Sequence, residues 1–172
     1  MPNTKPVGVA FSDPELTSGT TITGATIDST SKVLSNIANG FSMAQQGATI
    51  ATTGNSDVYL IAQAAGTLAS ATFSGVDALA ASDSNYITFT VTNLGTTGSG
   101  TTVMLAASDA NTTKATGGTA LTANAARSLT LNATAANLVV AAGDRLRIRA
   151  AATGTLANTV TFPVYRLNFN VA

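Results

Sequence analysis

The sequence predicts an all-β protein: an antiparallel β-sandwich or jelly-roll-like domain of about eight strands, preceded by a Ser/Thr/Gly-rich N-terminal arm or irregular layer. Three observations predict it. From Asp57 onward, aliphatic and aromatic residues alternate with Thr, Ser or Arg at a period of two, β-branched residues fill the runs, and Gly-rich clusters punctuate them. A period of two sends successive side chains to opposite faces of an extended chain, so each run has one apolar and one wettable face. Branching at Cβ restricts χ1 and favours a pleated strand over a helix.

In chain order the predicted strands are Val58–Ala62, Leu68–Phe73, Tyr86–Thr92, Thr101–Ala107, Ser128–Leu131, Leu138–Val140, Arg145–Ala150 and Val160–Val171. The third is the clearest, with Ile87, Phe89 and Val91 on one face and Thr88, Thr90 and Thr92 on the other. Turn chemistry separates the runs at Gly95–Gly100, Thr116–Thr119, Gly143-Asp144 and Thr153-Gly154. The last run changes parity. Val160, Phe162 and Val164 share one face while Tyr165, Leu167, Phe169 and Val171 share the other, so the inward face is expected to flip near Pro163, which donates no ladder hydrogen bond.

Residues 1–55 read as an arm or attachment segment and residues 56–172 as the sandwich. Within the arm, Val33, Leu34, Ile37, Ala38 and Phe41 fall on one helical stripe, with Ser31 as N-cap and Gly40 as stop, predicting a short helix. Two short echoes, Gly24–Ile27 with Gly47–Ile50 and Gly66–Ala69 with Gly154–Ala157, fall within what so biased a composition yields by chance.

At 172 residues and 17.1 kDa the chain suits one domain with an arm. Hydrophobic residues make up 45% and charged ones only 9%, so Thr, Ser, Asn and Gly must keep the surface wettable. Such a surface, at zero net charge, offers little repulsion to close packing against like surfaces. The few charges are segregated. Lys5 and Lys32 stand against Asp13, Glu15, Asp28, Asp57, Asp77 and Asp83 in residues 1–100, whereas Lys114, Arg127, Arg145, Arg147, Arg149 and Arg166 outnumber Asp109 and Asp144 in residues 101–172. Either the two halves interleave and neutralise each other within one sandwich, or complementary patches meet between subunits. Without cysteine there is no disulfide framework or thiolate metal site. Met1–Pro6 lacks the apolar run of a signal peptide, and no stretch approaches the about 18 apolar residues of a membrane span, so the chain is expected to be soluble where it is made.

The chemistry is sparse. With no histidine, the commonest general base and the usual partner of a serine nucleophile are missing. A Ser-Lys pair would need Lys5, Lys32 or Lys114, each in a polar stretch. Asp77 with Asp83, or Asp109 with Asp144, could formally hydrolyse a glycoside, but aromatic platforms are limited to Tyr59, Tyr86 and Tyr165 and most acids adjoin turn formers. Calcium ligation by Asp77, Asp83 and Ser82–Asn85 lacks the twelve-residue loop pattern. Ice binding would need flat Thr arrays, of which only Thr88, Thr90 and Thr92 form a convincing one. Arg145, Arg147 and Arg149 share one face of a predicted strand and could grip phosphates, but zero net charge gives little long-range attraction to a polyanion. Pairing with carboxylates of the same or a neighbouring subunit is favoured over phosphate contact; the alternative is that the three arginines are simply solvated. No catalysis, cofactor or metal is expected.

Asn85–Gly95, Ala141–Arg149 and Ala152–Ala157 resemble β-sandwich virion proteins of tailed bacteriophages, above all the small cement or decoration subunits that sit on capsids. The resemblance covers roughly residues 57–171. It implies a homotrimer on a local threefold axis that clamps neighbouring copies of the major capsid protein, displayed on the virion surface after assembly in the host cytoplasm; related sandwiches serve in fibres, tails and baseplates, where they bind a receptor or glycan. On that expectation Phe11, Leu16, Ile22, Ile27, Val33, Leu34, Ile37 and Phe41 are candidate contacts, together with Arg145, Arg147 and Arg149. Burying eight such apolar side chains contributes on the order of 10 kcal/mol before ordering costs. Alternatively, these residues complete the chain's own core.

Overall fold

The computed structural model describes residues 40–171. They form nine strands: β1 (Gly40–Gln46), β2 (Asn55–Ile61), β3 (Gly66–Ser74), β4 (Tyr86–Asn93), β5 (Thr102–Val103), β6 (Arg127–Leu129), β7 (Val139–Val140), β8 (Arg145–Thr153) and β9 (Val164–Val171). Single 3₁₀ turns occupy Asp109–Asn111 and Ala135–Leu138. One sheet runs β1-β9-β3-β6, with β7 also paired to β3; the other runs β2-β8-β4-β5. Every pairing is antiparallel. The fold is the all-β sandwich that the alternation predicts.

The core lies between the inward faces of the two sheets. Leu68, Ala71 and Phe73 of β3 and Tyr165, Leu167 and Phe169 of β9 face Ile87, Phe89 and Val91 of β4 and Leu146, Ile148 and Ala150 of β8, all buried. Phe73 ties the sheets together, its ring centroid 4.6 Å from Phe89 and 5.3 Å from Tyr165. Between Leu68 and Ser70 the β3–β9 register shifts, and this bulge lets Leu68 and Ala71 both point inward despite their odd spacing.

Four features differ from expectation. Residues 40–46, assigned to the arm, are strand β1, paired with β9 along its length, and Ile50 bridges Val160. The sandwich therefore begins upstream of residue 56. Phe41 lies on that strand and not on a helix, because its ring stacks on Phe169 at 4.7 Å and so gains more from the core than from a local helical turn. Thr101–Ala107 is not one strand. Thr102–Val103 pairs with β4, then Leu105 bridges Leu131, so the chain crosses between sheets at two consecutive buried residues, Met104 and Leu105.

The fourth is Val160–Val171. The inward face does flip near Pro163, but by a break: Val160 is buried, Phe162 adopts a left-handed conformation (φ 46°) and is 61% exposed, and β9 starts only at Val164. The predicted Ser31–Gly40 helix lies outside the described residues except for Gly40, which opens β1.

Candidate interaction surface

The alternation of β8 sends Leu146, Ile148 and Ala150 into the core and Arg145, Arg147 and Arg149 to the outer face. Beside them β2 buries Ser56 and Val58 and turns Asp57, Tyr59 and Ile61 outward. The antiparallel register sets Asp57 opposite Arg149, Tyr59 opposite Arg147 and Ile61 opposite Arg145. Three sequence-predicted arginines thus share one face with three residues that the sequence reading passed over.

Each arginine meets a different environment. Arg149 grips Asp57 through two parallel hydrogen bonds, Nε to Oδ1 and an NH2 group to Oδ2, both 2.7 Å. That grip holds the Asp57 carboxyl below the usual carboxylate range, against the opposing effect of partial burial, and the nearby Arg147 charge adds to it. The pair joins the acidic and basic halves of the chain inside one domain, as the interleaving alternative expects. Arg145 pairs diagonally with Tyr59 of β2, its guanidinium carbon 4.7 Å from the ring centroid, and lies near Gly98 of the loop after β4. Arg147 lies between them, half-buried, with a buried Nε that has no hydrogen-bond partner among the described residues. Tyr59 stays 47% and Ile61 66% exposed.

The carboxylates once paired as formal catalysts are each engaged in local structure. Asp77 accepts from the Thr161 amide and hydroxyl, and Asp83 from the Thr116 amide and hydroxyl, which holds both below the usual carboxylate range. Asp109 pairs with Lys114 at 2.8 Å. Asp144 is buried and accepts from the Ala141 amide and Asn93 Nδ2, closing the turn before β8. Among the described residues no group of three or more acidic side chains could hold a metal ion, and no helix is long and apolar enough to cross a membrane.

Phe11, Leu16, Ile22, Ile27, Val33, Leu34 and Ile37 lie outside the described residues. Phe41, the remaining apolar candidate, is half-buried and packs against the core through Phe169. Tyr59 and Ile61 carry a sequence signal that could have found them: once Val58, Leu60 and Ala62 are assigned inward, Asp57, Tyr59 and Ile61 must face out, an unusual place for two large apolar side chains in a row. Comparison with protein-family models, with curated proteins and with solved structures gives no match.

Proposed function

We propose that this chain is a structural virion protein of a tailed bacteriophage: a capsid decoration subunit that sits on the particle exterior as a trimer, bridges neighbouring copies of the major capsid protein and catalyses nothing. The observation that carries the proposal is the outer face of the β2-β8-β4-β5 sheet. Tyr59, Arg145 and Arg147 are residue types enriched where proteins bind proteins, Ile61 adds exposed apolar surface beside them, and all four stand on strands, with Arg149 already neutralised by Asp57. The weakly charged remainder of the chain supports dense packing on a lattice, where repetition multiplies a modest hold.

The competitor is a fibre, tail or baseplate domain that binds a receptor or glycan. A hollow of about 400 Å³ beside Tyr86, Ser108, Asp109 and Lys114 favours it, since an aromatic ring beside polar groups suits a sugar. Cryo-microscopy of particles carrying the chain separates the two. Density over local threefold axes of the capsid exterior is expected; density confined to the tail or its fibres overturns the proposal.

A further inference from the structure

Among the described residues, the outer face ends at an open sheet edge, and the backbone there has a definite parity. The Ala62 amide donates to the Asp144 carbonyl and the Ala152 amide to the Gly54 carbonyl, so in the β2–β8 register it is the even-numbered residues of β2 that exchange hydrogen bonds with β8. Asn55, Asp57, Tyr59 and Ile61 therefore turn their N–H and C=O groups toward the open side. No described backbone group pairs with them there. The same four residues carry the outward side chains.

Charge at this edge is lopsided. Asp57 is the only ionisable acid on β2 and is committed to Arg149. Arg145 and Arg147 have no carboxylate within ion-pair distance among the described residues. The Arg145 guanidinium stacks on the Tyr59 ring of β2, while its other side lies near Gly98 of the loop after β4. A strand added at β2 would lie about 4.8 Å further out, so a long acidic side chain on its outward face would reach Arg145 by extending back across the Tyr59 ring. Ile61 supplies apolar surface beside it. Below the edge, between β1 and β2, lies a hollow of about 440 Å³ lined by Ser42–Gln45 and Tyr59–Ile61, room for side chains pointing the other way.

We propose that the open edge of β2 binds an extended acidic segment of a partner protein by strand addition, with alternate carboxylates meeting Arg145 and Arg147 and the intervening side chains entering the hollow between β1 and β2. This rests on the decoration reading only in naming the partner as the major capsid protein. Backbone pairing supplies affinity and the two arginines select sign.

The test uses the full chain and a fluorescent peptide of about eight residues, an ordinary strand length, alternating Glu and Val, followed by anisotropy. Saturable binding is expected. It weakens about ten-fold or more in the Arg145→Ala/Arg147→Ala double variant and when the peptide amides facing β2 are N-methylated, and it disappears when Lys replaces Glu. Thermal unfolding of the double variant close to wild type shows that the loss is not unfolding. Equal binding of the Glu and Lys peptides, indifference to N-methylation, tighter binding of a thymidine oligonucleotide than of the Glu peptide, or edge-to-edge dimerisation of the chain that excludes the peptide overturns the inference. Particle sedimentation keeps the two proposals apart: a chain that attaches to capsids while the peptide assay fails leaves the decoration reading standing and this one refuted.

Discussion

Replacing Tyr165 with Phe should leave the protein at least as stable as it was. Tyr165 is 1% exposed at the centre of the aromatic contact with Phe73, yet its hydroxyl has no hydrogen-bond partner of good geometry among the described residues. Burial pushes its phenol well above the ordinary tyrosine value, opposed by the neighbouring Ser56 hydroxyl, which itself donates to the Ala48 carbonyl at 3.0 Å. An unpaired buried hydroxyl costs about 1–3 kcal/mol in lost hydration, and Tyr165→Phe removes that cost while keeping the ring in place. Against the gain stands the small void left by one oxygen atom, so the net effect is about 0 to +1 kcal/mol, a midpoint rise of up to about 4 °C for a domain of this size. Urea denaturation followed by far-ultraviolet circular dichroism measures it, with an unchanged m-value indicating that the states compared are the same. A loss of about 1 kcal/mol or more would refute the reasoning, because it would mean that the hydroxyl is hydrogen-bonded in the folded protein. Ser56→Ala combined with Tyr165→Phe then identifies the partner, since coupled residues give non-additive losses.

Gly154→Ala should cost about 1–3 kcal/mol by thermal melt, because Gly154 sits at φ 68° and a methyl group there collides with Asn85 Oδ1 and the Ser84 carbonyl. Phe162→Gly should not destabilise and is expected to gain up to about 1 kcal/mol, since Phe162 is exposed at φ 46°, a conformation glycine adopts without strain; a clear loss would show that the ring has a packing role. Acid should weaken the fold in a defined direction: the Asp57 carboxyl is held below its unfolded value, so the stability from its pairing with Arg149 is complete above about pH 4 and is lost as pH falls through the lower folded value. Asp57→Asn should flatten that part of the acid limb in urea titrations at stepped pH, and an unchanged acid limb would place the proton uptake elsewhere.

How much of this was legible varied with how closely each segment obeyed a single rule. Tyr86–Thr92 and Arg145–Ala150 were readable almost to the residue, since both are central strands whose inward positions are filled by Ile, Phe, Val and Leu and whose outward positions are Thr or Arg. Gly40–Gln46 was not. Its sequence, Gly-Phe-Ser-Met-Ala-Gln-Gln, has only two large apolar residues and no β-branching, so local preference says little. What makes it a strand is Phe169 and Leu167 opposite Phe41 and Met43, partners more than a hundred residues away that no local pattern reveals. Thr101–Ala107 failed for a related reason, because pairing with β4 and then with Leu131 splits one continuous run between two sheets. At the candidate surface the arginine row followed from parity alone. The asymmetry among its members did not, because it depends on Asp57 arriving from the far half of the chain to engage Arg149 and leave Arg145 and Arg147 unengaged.

Strand β9 is flanked by β1 on one side and β3 on the other, although it is the last of the nine strands to be synthesised. While a ribosome is still making it, β1 and β3 have no common neighbour, and their Met43, Leu68 and Phe73 side chains have no Leu167, Phe169 or Tyr165 to cover them. The nascent sandwich stays sticky and half-assembled until β9 emerges from the exit tunnel. Translation that stalls or terminates just short of Val164 would therefore yield an aggregating fragment rather than a slightly shortened domain, and quality-control proteases would be its expected fate.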